Sequence, residues 1–146
     1  MNQTEDEKYM QQALIEARKA LAKDEIPIGA VVVANGTIIG RGHNLTETLH
    51  DVTAHAEMQA ITAATDYLGG KYLDRCTLYV TVEPCVMCAG AIGWSQLGRI
   101  VYGAADAKRG YQTYAPRAFH PKSQTLSGVL ADECAQLMKD FFKAKR

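Results

Sequence analysis

Thr77-Leu78-Tyr79-Val80-Thr81-Val82-Glu83-Pro84-Cys85-Val86-Met87-Cys88-Ala89-Gly90-Ala91 changes character in its middle. The first six residues are apolar, aromatic and β-branched, which reads as a buried strand. Pro84 then opens a helix, because its fixed φ suits the first turn and it has no N–H to lose there. This spacing predicts that Cys85 and Cys88 lie in the first helical turn, where partial positive charge and free amides favour the thiolate. Two sulfurs separated by two residues can reach one metal ion.

Upstream, Thr53-Ala54-His55-Ala56-Glu57 begins a second helix, read from about His55 to Leu68 and stopped by Gly69-Gly70. It adds an imidazole to the two sulfurs. A bare C-x-x-C also occurs in redox motifs and structural zinc knuckles, but His-x-Glu upstream and Pro before the first Cys favour catalytic zinc. His55, Cys85 and Cys88 are thus candidate ligands for one Zn2+ per chain, since thiolates and imidazole select zinc over magnesium or calcium. Three ligands leave the fourth corner for a water whose pKa falls to about 7. Glu57 is two residues from a ligand and is not needed as one. On its own it would be an ordinary acid at a helix N-terminus; its place beside the site makes it the candidate proton shuttle. The H-E-x-x-H of the common zinc peptidases is absent.

The chain has 146 residues, enough for one domain with its own core, and its 16 Lys and Arg balance 16 Asp and Glu. With no global basic field, any nucleic-acid contact must rest on a local patch. Lys108, Arg109, Arg117 and Lys122 form one such group. Lys139, Lys143, Lys145 and Arg146 read as a solvated helix face and tail. No signal-like opening and no apolar run near the ~20 residues of a membrane span are present, so the expected location is the cytoplasm. Cys76 and Cys134 lie in apolar patterns and are expected to be buried small hydrophobes rather than a fourth ligand.

Around this centre, Thr4 or Asp6 caps an opening helix whose Met10, Leu14, Ala17 and Leu21 recur at helical spacing. Ile28–Val33 and Thr37–Gly42 flank Asn35-Gly36 as a hairpin. Arg99–Ala104 is a further strand, Asp106 to about Gln124 reads as loop, and Ala131–Lys145 is an amphipathic closing helix. Alternating helices and strands make the class α/β, one mixed sheet between helices, in a single domain over residues 1–146.

The chain resembles the bacterial tRNA-specific adenosine deaminases of the cytidine deaminase superfamily, whose H-x-E…P-C-x-x-C signature it carries. The matching blocks are Glu25–Val31, Thr53–Glu57, Thr77–Ala91 and Leu130–Cys134. The resemblance implies a three-layer α/β/α sandwich, a homodimer, and conversion of the wobble adenosine of a tRNA anticodon, that of an arginine tRNA, to inosine. By position it also implies that Asn44 binds the flipped base and that Ala104, Asp106 and Lys108 border the anticodon arm. Asn44 fits because a carboxamide both donates to and accepts from one purine edge; as a turn residue ending the second strand it needs no such role.

Two stretches depart from the family pattern. Gly93-Trp94-Ser95 replaces a His-Ser pair, and a tryptophan there is similar to guanine deaminases, which makes a free-base deaminase the alternative. Gly110-Tyr111-Gln112-Thr113-Tyr114 replaces a Gly-Ala-Ala-Gly-Ser loop. Tyr111, Tyr114 and Phe119, near Lys108, Arg109 and Arg117, either stack on splayed bases or pack the loop and an interface.

Overall fold

The computed structural model describes residues 3–146. Helix α1 (Glu5–Ala22) starts at Thr4, whose hydroxyl accepts from the Glu7 amide at 3.1 Å while the Glu7 carboxylate accepts from the Thr4 amide at 3.0 Å. This reciprocal cap satisfies donors that the helix cannot. Met10, Ala13, Leu14, Ala17 and Ala20 form its buried stripe. Leu21, expected on that stripe, is 38% exposed, because the contact face follows Ala17 to Ala20 and turns Leu21 outward.

Strands β1 (Gly29–Ala34) and β2 (Thr37–His43) form the expected antiparallel hairpin. Asn35 and Gly36 take φ of 50° and 78°, the left-handed pair that fits a two-residue turn to the twist of the strands. Chain order then runs α2 (Ala56–Leu68), β3 (Cys76–Val82), α3 (Val86–Ser95), β4 (Arg99–Ala104), α4 (Tyr111–Tyr114), β5 (Gln124–Leu126) and α5 (Ala131–Ala144). The sheet order is β2-β1-β3-β4-β5, antiparallel across its first three strands and parallel across its last three. The sheet is mixed, as expected.

Two short elements lie within or border the stretch read as loop. α4 is a single turn. β5 consists of three exposed residues, so no apolar alternation marks it, and only backbone pairing with β4 makes it a strand.

Because side chains alternate across a strand, neighbouring residues serve opposite faces. Val32, Leu78, Val80, Ile100 and Tyr102 pack with Ala56, Ala60 and Ala64 of α2 and Ala89 and Ile92 of α3. Val31, Val33, Tyr79 and Val101 pack with Tyr9, Met10 and Leu14 of α1 and Cys134 of α5. The outcome is three layers, α/β/α.

Helix α2 lies close against β2 because the contact is built from small residues. A Cβ on Gly40 would overlap the Ala60 carbonyl oxygen, and one on Gly42 would overlap that of Ala56. This seating sets where α2 begins, and His55 stands at its N-cap. Gly40→Ala should therefore destabilise the protein by about 2–3 kcal/mol through forced separation of helix and strand. Gly70→Ala, which meets nothing within 4 Å, should stay within about 0.5 kcal/mol of the parent. Chemical denaturation of both variants checks the contrast.

Candidate active site

Two helix N-termini meet at the end of the sheet. His55 is the N-cap of α2 and Cys85 the N-cap of α3, each with extended backbone, and Glu57 and Cys88 lie in the first turns that follow. The sequence pattern places Cys85 inside its helix; it caps the helix instead, Pro84 standing one residue earlier. His55 Nδ1 lies 3.4 Å from Cys88 Sγ and 3.7 Å from Cys85 Sγ. Tetrahedral zinc, with bonds of about 2.0–2.1 Å to nitrogen and about 2.3 Å to sulfur, requires an N···S separation near 3.5 Å. The donor set and its spacing fit zinc, and all three ligand atoms lie within 4.8 Å of one another.

The charge states in this cluster are strongly interdependent. Hydrogen bonds from Cys88 and His55, set against burial, bring the Cys85 thiol down to about 4. The same bond to Cys85, with burial, pushes the Cys88 thiol up. Burial pushes the Glu57 carboxyl up to about 7. One thiolate therefore suppresses ionisation of its neighbours, whereas a dication between the sulfurs favours both thiolates. Cys76 and Cys134 are buried in the core, 3% and 1% exposed, and stand outside the cluster, as expected.

Glu57 is 4% exposed and faces a cleft of about 1310 Å³, together with His55 and Cys85. Asn44, Ala104, Asp106 and Lys108 line the same cleft. Asn44 follows directly on β2 and faces the cleft: its side-chain oxygen accepts from the Thr46 amide at 3.2 Å, which orients the carboxamide. Asp106 accepts from the amides of Lys108 and Arg109, tightening the turn that presents their side chains. Glu25, 1% exposed, holds the loop after Asn44 by accepting from the Glu47 amide and from the Thr48 hydroxyl, at 3.1 and 2.7 Å, as well as from the Thr48 amide.

Helix α5 also lines the cleft, including basic residues that the sequence reading assigned to a solvated face and tail. Ala135, Met138, Lys139, Phe142, Lys143 and Arg146 line the cleft. Ala135 to Lys143 follow i, i+3, i+4, i+7, i+8, one helical stripe, and Arg146 lies just past the end of the helix. That periodicity is visible in the sequence, but which way the stripe faces is not. Lys145 also reaches the cleft and is tied to Asp24 at 2.6 Å.

The two tyrosines of the divergent loop separate. Tyr111 is 4% exposed, edge-on to Tyr102 and 4.3 Å from the Phe119 ring, so it and Phe119 are packing and not a base platform. Tyr114 is 63% exposed beside Cys85, Met87 and Arg109. Trp94 is 86% exposed on α3 and does not line the cleft.

A model of the MafB19-like deaminase family matches residues 4–146. The tRNA-specific adenosine deaminase of Bacillus subtilis (strain 168) is 46% identical over a 148-residue alignment that covers 98% of this chain and 92% of that protein. A solved structure from work on A-to-I editing by tRNA:A34 deaminases at the wobble position of transfer RNA matches with a TM-score of 0.83 at 43% identity, over 89% of this chain and 98% of that one. A guanine deaminase from Bacillus subtilis matches with a TM-score of 0.65 at 38% identity, over 82% and 72%.

Two measurements follow from this geometry. Metal analysis should find about one zinc per chain, retained in Cys76→Ser and Glu57→Gln and lost in Cys85→Ser or Cys88→Ser. Burial opposes ionisation of Glu25, but the bonds from Thr48 and Glu47 outweigh it and hold its carboxyl below the usual glutamate range. A folded-state pKa below the unfolded one stabilises above the unfolded value, near 4.3, and the gain is lost as pH falls through the folded value. Denaturation across acid pH should show Glu25→Gln less stable than the parent at neutrality, with the gap closing as pH falls.

Proposed function

The chain belongs to the MafB19-like deaminase family and groups with the tRNA-specific adenosine deaminases, and from that premise we propose that it converts the wobble adenosine of a tRNA anticodon to inosine, an arginine tRNA being its substrate. Adenosine deamination is its activity; the position edited and the tRNA are this proposal. The observation that carries it is the cleft. In a chain of zero net charge, the cleft that Glu57 faces is lined by Lys108 and Arg109 after β4 and by Lys139, Lys143, Lys145 and Arg146 from α5 and the residues after it. A small free base has no use for cations from both segments, whereas a phosphate backbone does.

The reaction replaces the C6 amine of adenine by the oxygen of water and releases ammonia. Bound by His55, Cys85 and Cys88, zinc supplies the Lewis acidity that makes water a competent nucleophile at neutral pH. Glu57 accepts a proton from the attacking water and delivers it to the purine ring, then takes the second proton from the new C6 hydroxyl and passes it to the amine, which leaves as ammonia when the C6–N bond breaks. Asn44 holds the edge of a base turned out of the RNA stack. Ala104 gives the wall a surface without side-chain bulk, and Asp106 sets the turn from which Lys108 and Arg109 reach phosphate. Lys139, Lys143 and Arg146 also neutralise the strand, with Phe142 exposed between them as a stacking surface.

A second copy of the chain covers the outer face of α3. Val86, Gly90 and Trp94 share one stripe there; Trp94 is 86% exposed, and space around Gly90 is open. An exposed tryptophan beside a flat glycine suits an isologous dimer contact. Guanine deamination is the weaker reading, because Trp94, the residue that suggests it, points away from the cleft. With tRNA as substrate, the enzyme works in the cytoplasm.

An anticodon stem-loop carrying adenosine at the wobble position should yield inosine, while free guanine, cytosine and adenosine should release little ammonia. Glu57→Gln should reduce turnover by about three orders of magnitude or more with zinc retained. Binding should weaken with salt, and Lys143→Ala or Arg109→Ala should each lower the salt slope by about one. Rapid ammonia release from guanine with no inosine in the stem-loop would reverse the assignment.

A further inference from the structure

Glu83 is buried, 7% exposed, two residues before a zinc ligand, and the reaction outlined above makes no use of it. Its main chain is anchored to β4: the Glu83 amide donates to the Ala104 carbonyl at 2.8 Å. Its side chain turns toward the segment that leaves β4. One carboxylate oxygen accepts from the Asp106 amide at 3.0 Å and the other from the Gln112 amide at 3.1 Å. These two donors bracket the excursion that presents Lys108 and Arg109.

The backbone closes the same joint. The Tyr111 amide donates to the Pro84 carbonyl at 2.9 Å, and Gly110 forms a bridge with Cys85. Gly110 passes so near Glu83 that a Cβ there would overlap the carboxylate. A close backbone pass of this kind has room only for glycine. The excursion therefore rests on the turn that carries the metal ligand, and one side chain holds both of its ends.

We propose that Glu83 is a positioning residue: it locks the Asp106–Gln112 segment, and through it Lys108 and Arg109, to the turn bearing Cys85, so that the strand-binding cations keep a set distance from the reacting base. The proposal rests on reading the cleft as the site of tRNA deamination. A carboxylate is required because both oxygens accept. Glutamine offers one acceptor and turns an NH2 group toward the other amide, leaving a donor facing a donor.

The experiment compares wild type, Glu83→Gln and Gly110→Ala as zinc-loaded enzymes on the anticodon stem-loop. KM should rise roughly tenfold or more in both variants, the scale of a lost charge-assisted hydrogen bond, with kcat changed much less and zinc still about one per chain. Amide exchange over residues 106–112 should speed up in both variants while the central strands stay protected. In a Lys108→Ala/Arg109→Ala background, adding Glu83→Gln should cost little more, because the residue acts through those side chains. A purely structural role would instead give additive losses and lower thermal stability without a KM effect. Unchanged KM with unchanged exchange, additive losses, or loss of zinc in Glu83→Gln would overturn the proposal. If Glu83→Gln does not fold, Gly110→Ala carries the same comparison. A wild-type enzyme inactive on the stem-loop would refute the substrate reading, and the exchange and zinc measurements would still decide whether Glu83 pins the segment.

Discussion

Three donor atoms from two helices must converge to within a few ångströms, and most of the architecture serves that demand. His55 comes from the start of α2 and the two sulfurs from the start of α3, His55 and Cys85 being 30 positions apart in sequence. Neither helix reaches the other through its own sequence. The meeting is arranged by the sheet: β2 carries α2 on glycines that allow the backbones to touch, and β3 delivers the chain directly into the α3 turn. Small residues at Gly40, Gly42, Ala60 and Ala64 thus bear on the site without being near it, because they set the separation of helix and sheet that the His55, Cys85 and Cys88 cluster inherits.

Burial and charge are balanced differently at each carboxylate around the cleft. Glu25 and Glu83 are nearly sealed from water, and each accepts bonds from backbone amides, so each serves to hold a loop. Glu57 is equally buried but faces the metal-binding side chains and the open cleft, so its carboxylate is available for proton transfer. Their backbone settings also differ. Glu57 sits in the first turn of a helix whose N-terminus tolerates negative charge, while Glu25 lies in the bend after α1 and Glu83 joins β3 to Pro84.

Recognition and chemistry are served by different parts of the chain. The metal-binding cluster and Glu57 come from helix starts packed into the α/β layers, where rigid surroundings hold them. The cleft walls come from the Ala104–Arg109 turn and from the final helix, elements at the parallel side of the sheet. A global charge of zero is compatible with an RNA substrate because cations are concentrated at this mouth while much of the acidic complement lies elsewhere, on α1 among other places. Local field, and not net charge, is what a phosphate backbone meets.

The cluster of His55, Cys85 and Cys88, which could hold a metal ion, and the place of Glu57 beside it were legible in the sequence, since ligand chemistry restricts residue type and helical geometry restricts spacing over four or five residues. The hairpin was legible for the same reason: Asn-Gly suits the left-handed backbone that its turn requires. Leu21 escaped because one residue of rotation on a helix decides which side is buried, and β5 escaped because an exposed edge strand has no apolar pattern. The facing of the α5 stripe, the burial of Tyr111 and the reach of Glu83 to Asp106 and Gln112 were decided by the tertiary structure alone. Each depends on which surfaces come together when the layers pack, and contacts between residues far apart in sequence leave no periodicity along the chain.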